Sequence, residues 1–306
     1  MHKPVLLNEV VDYLINDPEG MYVDGTVGGG GHSEVLARVI CPEGRLICID
    51  RDPDAIDAAK KRLAPLGDCI KILKANYAYM EGVLDELGIK EVNGILLDLG
   101  MSSEHIENSG RGFSFLRDEP LDMRMDPEDP IKAKDLVNNL SETELVKIIR
   151  EYGEEKRARH IVKAIIRERK KAPIKSSLQL ANIISSLFAK RHRKRHPATK
   201  TFQALRIAVN KEIENLKLFL EKAPDLLKKG GRLAIISYHS LEDRLVKHCM
   251  IRWEDPCTCP PEIPYCICGK KPIMKRITKK GIKPSNIEVQ YNPRARSAIL
   301  RVAEKI

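Results

Sequence analysis

Four short β-rich runs, Met21 to Asp24, Arg45 to Asp50, Ile70 to Lys74 and Gly94 to Asp98, alternate with helical patterns over the first hundred residues. That alternation predicts a parallel α/β sheet, because parallel neighbours need a crossover long enough to hold a helix. Between the second and third runs, Asp52 can cap a helix with Pro53 at its first position and Ala55, Ile56, Ala59 and Leu63 on its apolar face. After about Arg111 the β signal stops and helical patterns take over. One of them opens on the capping box Ser141 to Glu144, followed by Leu145, Ile148 and Ile149. Strand character returns at Gly231 to Ser237 and again at Ala298 to Val302, which would complete the same sheet. The expected fold is α/β, with a discontinuous sheet domain over residues 1–110 and 212–306 and an inserted all-helical domain over 111–211.

The first run ends in Asp24-Gly25-Thr26-Val27-Gly28-Gly29-Gly30-Gly31-His32 and leads into a helix around Ser33 to Val39. Glycines there let backbone N–H groups approach a ligand at a helix N-terminus. Nineteen residues after Gly31 the second run ends at Asp50, whose carboxylate can accept hydrogen bonds from ribose hydroxyls. Together they describe a site for a nucleoside-containing cofactor. No Lys follows the glycines, which disfavours a P-loop, and Gly28, Gly30 and Gly31 do not match GxGxxG cleanly. Their closer spacing after an acid, Asp24, is that of loops binding S-adenosylmethionine, with a nicotinamide-dependent dehydrogenase as the competing reading. The fourth run ends at Asp98, on the carboxyl edge where open α/β sheets bind ligands.

The chain carries a net charge of +10, and its basic residues cluster at Arg167 to Lys171, Lys190 to Arg195 and Lys270 to Lys283. One such run is ordinarily a solvated helix face, but three together favour a polyanionic partner. Neither a charged leader followed by a long apolar stretch nor a run of about eighteen apolar residues is present, so no membrane association is expected and the cytoplasm is the expected location. Of eight cysteines, Cys41, Cys48 and Cys69 lie among apolar residues and read as small buried hydrophobes. Cys257, Cys259, Cys266 and Cys268 form a separate group. In a reducing compartment they suggest metal rather than disulfides, yet one residue between paired ligands is short of the two to four that structural zinc sites favour, so no metal is assigned.

The stretches DGTVGGGGHS, LLDLGMSS, RGFSF, PLDMRMD, YGEE, HPATKTFQALRIAVN, HSLEDR and NPRARSA, in this order over nearly the whole chain, resemble the small-subunit ribosomal RNA (cytosine-N4)-methyltransferase family called RsmH or MraW. The resemblance implies a Rossmann-like class I methyltransferase sheet with a helical insertion that recognises RNA. It also implies methyl transfer from S-adenosylmethionine to N4 of a cytosine in the decoding region of 16S ribosomal RNA. Carried onto matching positions, it implies that Gly30, Gly31 and His32 contact the amino-acid part of the cofactor, Asp50 its ribose and Tyr77 its adenine. Asp24, Gly28, Asp98 and His105 belong to the same pocket. The loop from Ser102 through Arg111 to Phe115, with Phe113, would face the target base.

Cytosine N4 is a poor nucleophile because its lone pair is delocalised into the ring, so the reaction asks for an acceptor of the amino hydrogens. Asp98 is the main candidate and the Ser102 hydroxyl the second. Methylation at C5 would instead need a Cys nucleophile after the fourth strand, where this chain has leucine and glycine. A non-catalytic RNA-binding scaffold is the alternative of a different class. Arg191, Arg193, Lys194 and Arg195, just before the Pro197 to Gln203 segment, are the first choice for phosphate contact with ribosomal RNA or the small subunit. The oligomeric state is open at this stage.

Overall fold

The computed structural model describes residues 4–101, 110–188, 196–260, 265 and 267–306. It divides into two compact units, Met1–Gly100 with Glu214–Ile306, and Met101–Ile213.

The first unit is built on strands β1 (Met21–Asp24), β2 (Arg45–Asp50), β3 (Ile70–Lys74), β4 (Val92–Asp98), β5 (Leu227–Ser237), β6 (Met274–Arg276) and β7 (Ile299–Lys305), in the order β3-β2-β1-β4-β5-β7-β6. The first five are mutually parallel and β7 runs antiparallel to both its neighbours. This is the Rossmann-like sheet that the family resemblance implies. Period-two alternation sends Leu46 and Cys48 of β2 into one apolar layer and Ile47 and Ile49 into the other. Helices α1 (Leu7–Leu14), α2 (Gly31–Ile40) and α3 (Pro53–Leu63) cover the first layer. Helices α4 (Met80–Glu86), α10 (Glu212–Lys222) and α11 (Ser240–Glu254) contribute to the second. A sheet buried on both faces needs the continuous apolar runs that this sequence provides.

Local signals act as expected in α3, where the Asp52 side chain accepts the Asp54 N–H, Pro53 opens the helix, and Ala55, Ile56, Ala59 and Leu63 are buried. Strand β6 gave no legible signal, since three residues next to a basic run carry too little periodicity. Cys41 and Cys69 depart from their reading as separate buried thiols and form a disulfide. The end of α2 and the entry to β3 bring their Cα atoms to 6.0 Å, within disulfide reach, which the 28-residue separation does not reveal. Cys48 stays a buried thiol whose ionisation burial opposes.

The second unit contains α5 (Ala133–Asn139), α6 (Glu142–Glu151), α7 (Ala158–Arg169), α8 (Ser177–Ser185) and α9 (Thr199–Asn210) around one apolar core. Ser141 and Glu144 make the reciprocal cap of α6. The irregular segment before α5 is held by side chains. The Arg124 guanidinium forks onto both oxygens of Asp122 at 2.7 and 2.9 Å. Asn210, at the end of α9, accepts the Met125 N–H at 2.8 Å and donates to the carbonyls of Met123 and Arg206 at 2.7 and 2.8 Å. That buried amide fixes Met123, whose φ is 62°, within the PLDMRMD stretch.

Asn210→Ala strands the Met125 N–H and two carbonyls away from water. It should lower the urea-unfolding stability of the helical unit by about 2 kcal/mol, followed by circular dichroism.

Candidate active site

Parallel strands end together, so Asp24, Asp50 and Asp98 all stand at the carboxyl edge of the sheet. The chain crosses to β2 and β3 on one side of β1 and to β4 and β5 on the other, which opens a crevice at this switch point. The loop from Gly25 to Gly30 lines it. Gly25 donates its N–H to Leu96 O and Val27 donates to Ile49 O, both at 2.9 Å. A Cβ at Gly25 would come within 2.5 Å of Leu97 Cδ2. Gly30 takes a φ of 77° as it starts α2, and no side chain among the described residues caps that helix. The positive end of α2 is thereby left facing the loop, while a Cβ at Gly29 would meet open space. A helix terminus suited to a carboxylate and an open glycine cradle fit the amino-acid part of S-adenosylmethionine.

Asp50 accepts the N–H groups of Gly28 at 2.9 Å and Asp52 at 3.0 Å, one on each oxygen. The carboxylate thereby ties the glycine loop to β2, and it is half-buried at the sheet edge where a ribose could reach it. Tyr77 is half-buried, edge-on to Phe219 at 5.8 Å, with its Cβ 3.3 Å from the position of a Cβ on Gly25. The tyrosine thus stands beside the same loop, and Asp50, Tyr77 and the α2 terminus come together as one candidate cofactor pocket.

Asp98 is where the segments converge. Its N–H donates to Thr26 Oγ1 at 2.6 Å, and its Oδ1 accepts the Gly100 N–H at 3.2 Å. The His32 ring passes between Val5 and Asp98, with Nε2 2.9 Å from the Val5 carbonyl and Nδ1 3.5 Å from Asp98 Oδ2. A carbonyl only accepts, so Nε2 carries a hydrogen, and His32 and Asp98 form an ion pair when Nδ1 is protonated as well. Tyr238, directly after β5, hydrogen-bonds to Asp98, and burial together with that carboxylate pushes its phenol well above its ordinary pKa. A Cβ on Gly100 would lie 2.7 Å from the Tyr238 ring. Tyr238 is not among the residues expected from sequence. β5 pairs with β4 and puts Ile236 opposite Asp98, so the residues that follow β5 reach the same edge, an adjacency that local pattern does not carry.

Several expected site residues do other work. Asp24 was grouped with the cofactor contacts, but it is 1% exposed and its oxygens accept the Ser33 hydroxyl at 2.6 Å and the Thr26 N–H at 3.2 Å. It braces the loop from beneath. The His32 side chain is likewise buried, which leaves its backbone for a ligand. Phe113, expected to face the target base, is 7% exposed within the helical core. Arg111 donates to the carbonyls of Arg124 and Met125 at 3.1 and 2.7 Å and holds its own loop. Aromatic and cationic residues in a motif look alike whether they pack or bind, and here packing took both. Ser102, His105, Arg191, Arg193, Lys194 and Arg195 lie outside the described residues. Glu242 accepts the N–H groups of Tyr238 and His239, and Asp243 takes a two-pronged ion pair from Arg301, so both acids of HSLEDR have structural partners.

Burial raises the Asp24 carboxyl to about 6. The folded protein therefore holds this proton more tightly than the unfolded chain. The stability it contributes is present below about pH 4 and is lost as pH rises through about 6. Asp24→Asn removes that titration, so its stability relative to the parent should rise between about pH 4 and 7 in denaturant titrations. A difference that does not change over this range would place the buried charge elsewhere.

No helix among the described residues is long and apolar enough to cross a membrane. The model of the MraW methylase family matches residues 1–306. The protein named ribosomal RNA small subunit methyltransferase H from Carboxydothermus hydrogenoformans is 50% identical over 307 residues, covering 100% of this chain and 98% of that one. The proteins of the same name from Syntrophus aciditrophicus and Symbiobacterium thermophilum are 52% and 47% identical, covering 100% of this chain and 98% and 96% of theirs. With the sheet order, the glycine loop and the strand-end acids already in place, this chain belongs to the MraW methylase family of S-adenosylmethionine-dependent methyltransferases.

Proposed function

We propose that this chain transfers a methyl group from S-adenosylmethionine to N4 of a cytosine in the decoding region of 16S ribosomal RNA, acting in the cytoplasm on the small subunit or its RNA. The observation that carries the chemistry is Asp98, a partly exposed carboxylate at the switch point, held by Thr26, Gly100, His32 and Tyr238. The relatives' shared name supports the RNA substrate.

S-adenosylmethionine supplies a methyl on sulfonium, already activated toward displacement. The protein's residues have to hold that group and steer the amine. The α2 terminus at Gly30, Gly31 and His32 would hold the carboxylate of the amino-acid part, Asp50 the ribose and Tyr77 the adenine. Asp98 would accept a hydrogen of the cytosine amine, which returns electron density to N4 as its charge develops. Because Tyr238 and His32 fix the position of Asp98, the acceptor is preorganised and does not have to be recruited. The helical unit is the proposed RNA-recognition element, with the basic run at Arg191, Arg193, Lys194 and Arg195 as its phosphate contact.

Purified protein incubated with radiolabelled S-adenosylmethionine and small subunits lacking the modification should place label in N4-methylcytidine. Asp98→Ala should cut the single-turnover rate by at least about 100-fold while the cofactor still raises the melting temperature. Label in 5-methylcytidine, or a variant as fast as the parent, would overturn the assignment.

A further inference from the structure

Between α11 and β6 the chain makes an excursion over residues 255–273, closed at its neck by the Ile273 N–H donating to Trp253 O at 2.9 Å. Among its described residues none is buried, and Tyr265 and Ile267 are 81% and 76% exposed. A loop of this length with no apolar interior has no packing to order it. Nevertheless Cys257, Cys259 and Cys268 gather their sulfur atoms within 4.8 Å of one another. Thiolates around one tetrahedral zinc, each at about 2.3 Å, stand about 3.8 Å apart, so a small contraction of this group encloses an ion.

We propose that these thiols form a structural zinc site. The short spacing does not oppose it, because residues i and i+2 of an extended segment point to the same side, and Cys257 and Cys259 can thus ligate together. Cys266 and Cys268 repeat that spacing. Cys266 itself lies outside the described residues. The Ile267 N–H donates to Cys259 Sγ at 3.3 Å, the kind of outer contact that steadies a metal-bound thiolate. Gly269, directly after Cys268, turns the chain away with a φ of 65°. Cys257 also lines a groove of about 530 Å3 together with Arg252, Lys270 and Lys271. Their positive charge offsets the net negative charge of a zinc ion with three thiolates. The ion would close this loop as a crosslink in place of a core.

The test uses the full chain, expressed with zinc in the medium and purified without chelator. Elemental analysis should find about one zinc per chain. Cobalt(II) in its place should give the thiolate charge-transfer and intense visible bands of a tetrahedral sulfur site. Cys257→Ser, Cys259→Ser and Cys268→Ser should each lose most of the metal, whereas Cys249→Ser, on α11 and outside the group, should keep it. The cobalt spectrum of the parent protein stands even where a variant misfolds. Parent protein that takes up neither zinc nor cobalt, or metal content unchanged by the three serine variants, would overturn the proposal. So would metal-free protein in which alkylation and mass spectrometry find these cysteines joined as disulfides.

Discussion

The site hangs on the hydrogen bond from the Asp98 N–H to Thr26 Oγ1 at 2.6 Å. It joins the end of β4 to the loop that leaves β1, across the switch point where the strand order reverses. Strand pairing alone carries the register only to the last ladder bonds, after which two diverging loops have no reason to keep a fixed separation. Thr26 supplies that reason. Once it is made, the glycine loop and the candidate acceptor move as one body, and the crevice between them has a defined width. His32 from α2 and Tyr238 from β5 then close on the same carboxylate, so three segments far apart in sequence, Thr26 to His32, the end of β4 and the end of β5, meet at one residue.

The helical unit uses the same economy in a segment with no regular structure to hold it. The stretch from Leu121 to Met125 includes a left-handed Met123 and would be free to rearrange if backbone pairing were its only support. Asn210 reads it through two hydrogen bonds, and Asp122 locks the guanidinium of Arg124, which also reaches the Asp129 carbonyl. Motifs separated by about eighty residues in sequence thus prove to be two halves of one contact. Their family-like appearance reflects folding as much as reaction.

What was legible in the sequence follows the range of the interaction involved. β1 to β4, the cap at Asp52 and the capping box at Ser141 depend on neighbours a few residues away, and each lies where local pattern puts it. The Cys41–Cys69 pairing, Tyr238 and the short β6 depend on which distant segments the sheet makes adjacent, and pattern is silent about them. Arg111 and Phe113 illustrate a further limit. A motif says that a side chain matters, and only its surroundings say whether it faces a ligand or a carbonyl.

The three strand-end aspartates show how one residue type is divided among tasks by burial alone. Asp24, on the interior strand β1, is sealed beneath the loop, and desolvation raises its pKa to about 6. Sealed there, it braces Ser33 and Thr26. Asp50, one strand outward, accepts backbone N–H groups on both oxygens and is half-buried at the mouth of the crevice. Asp98, on the opposite flank, is partly exposed and flanked by a phenol and an imidazole, the surroundings that can hold a charged acceptor at the rim of the crevice. The order in which the strands pair, more than any difference between the acids themselves, therefore decides which carboxylate is sealed beneath the loop and which stand at the rim of the crevice.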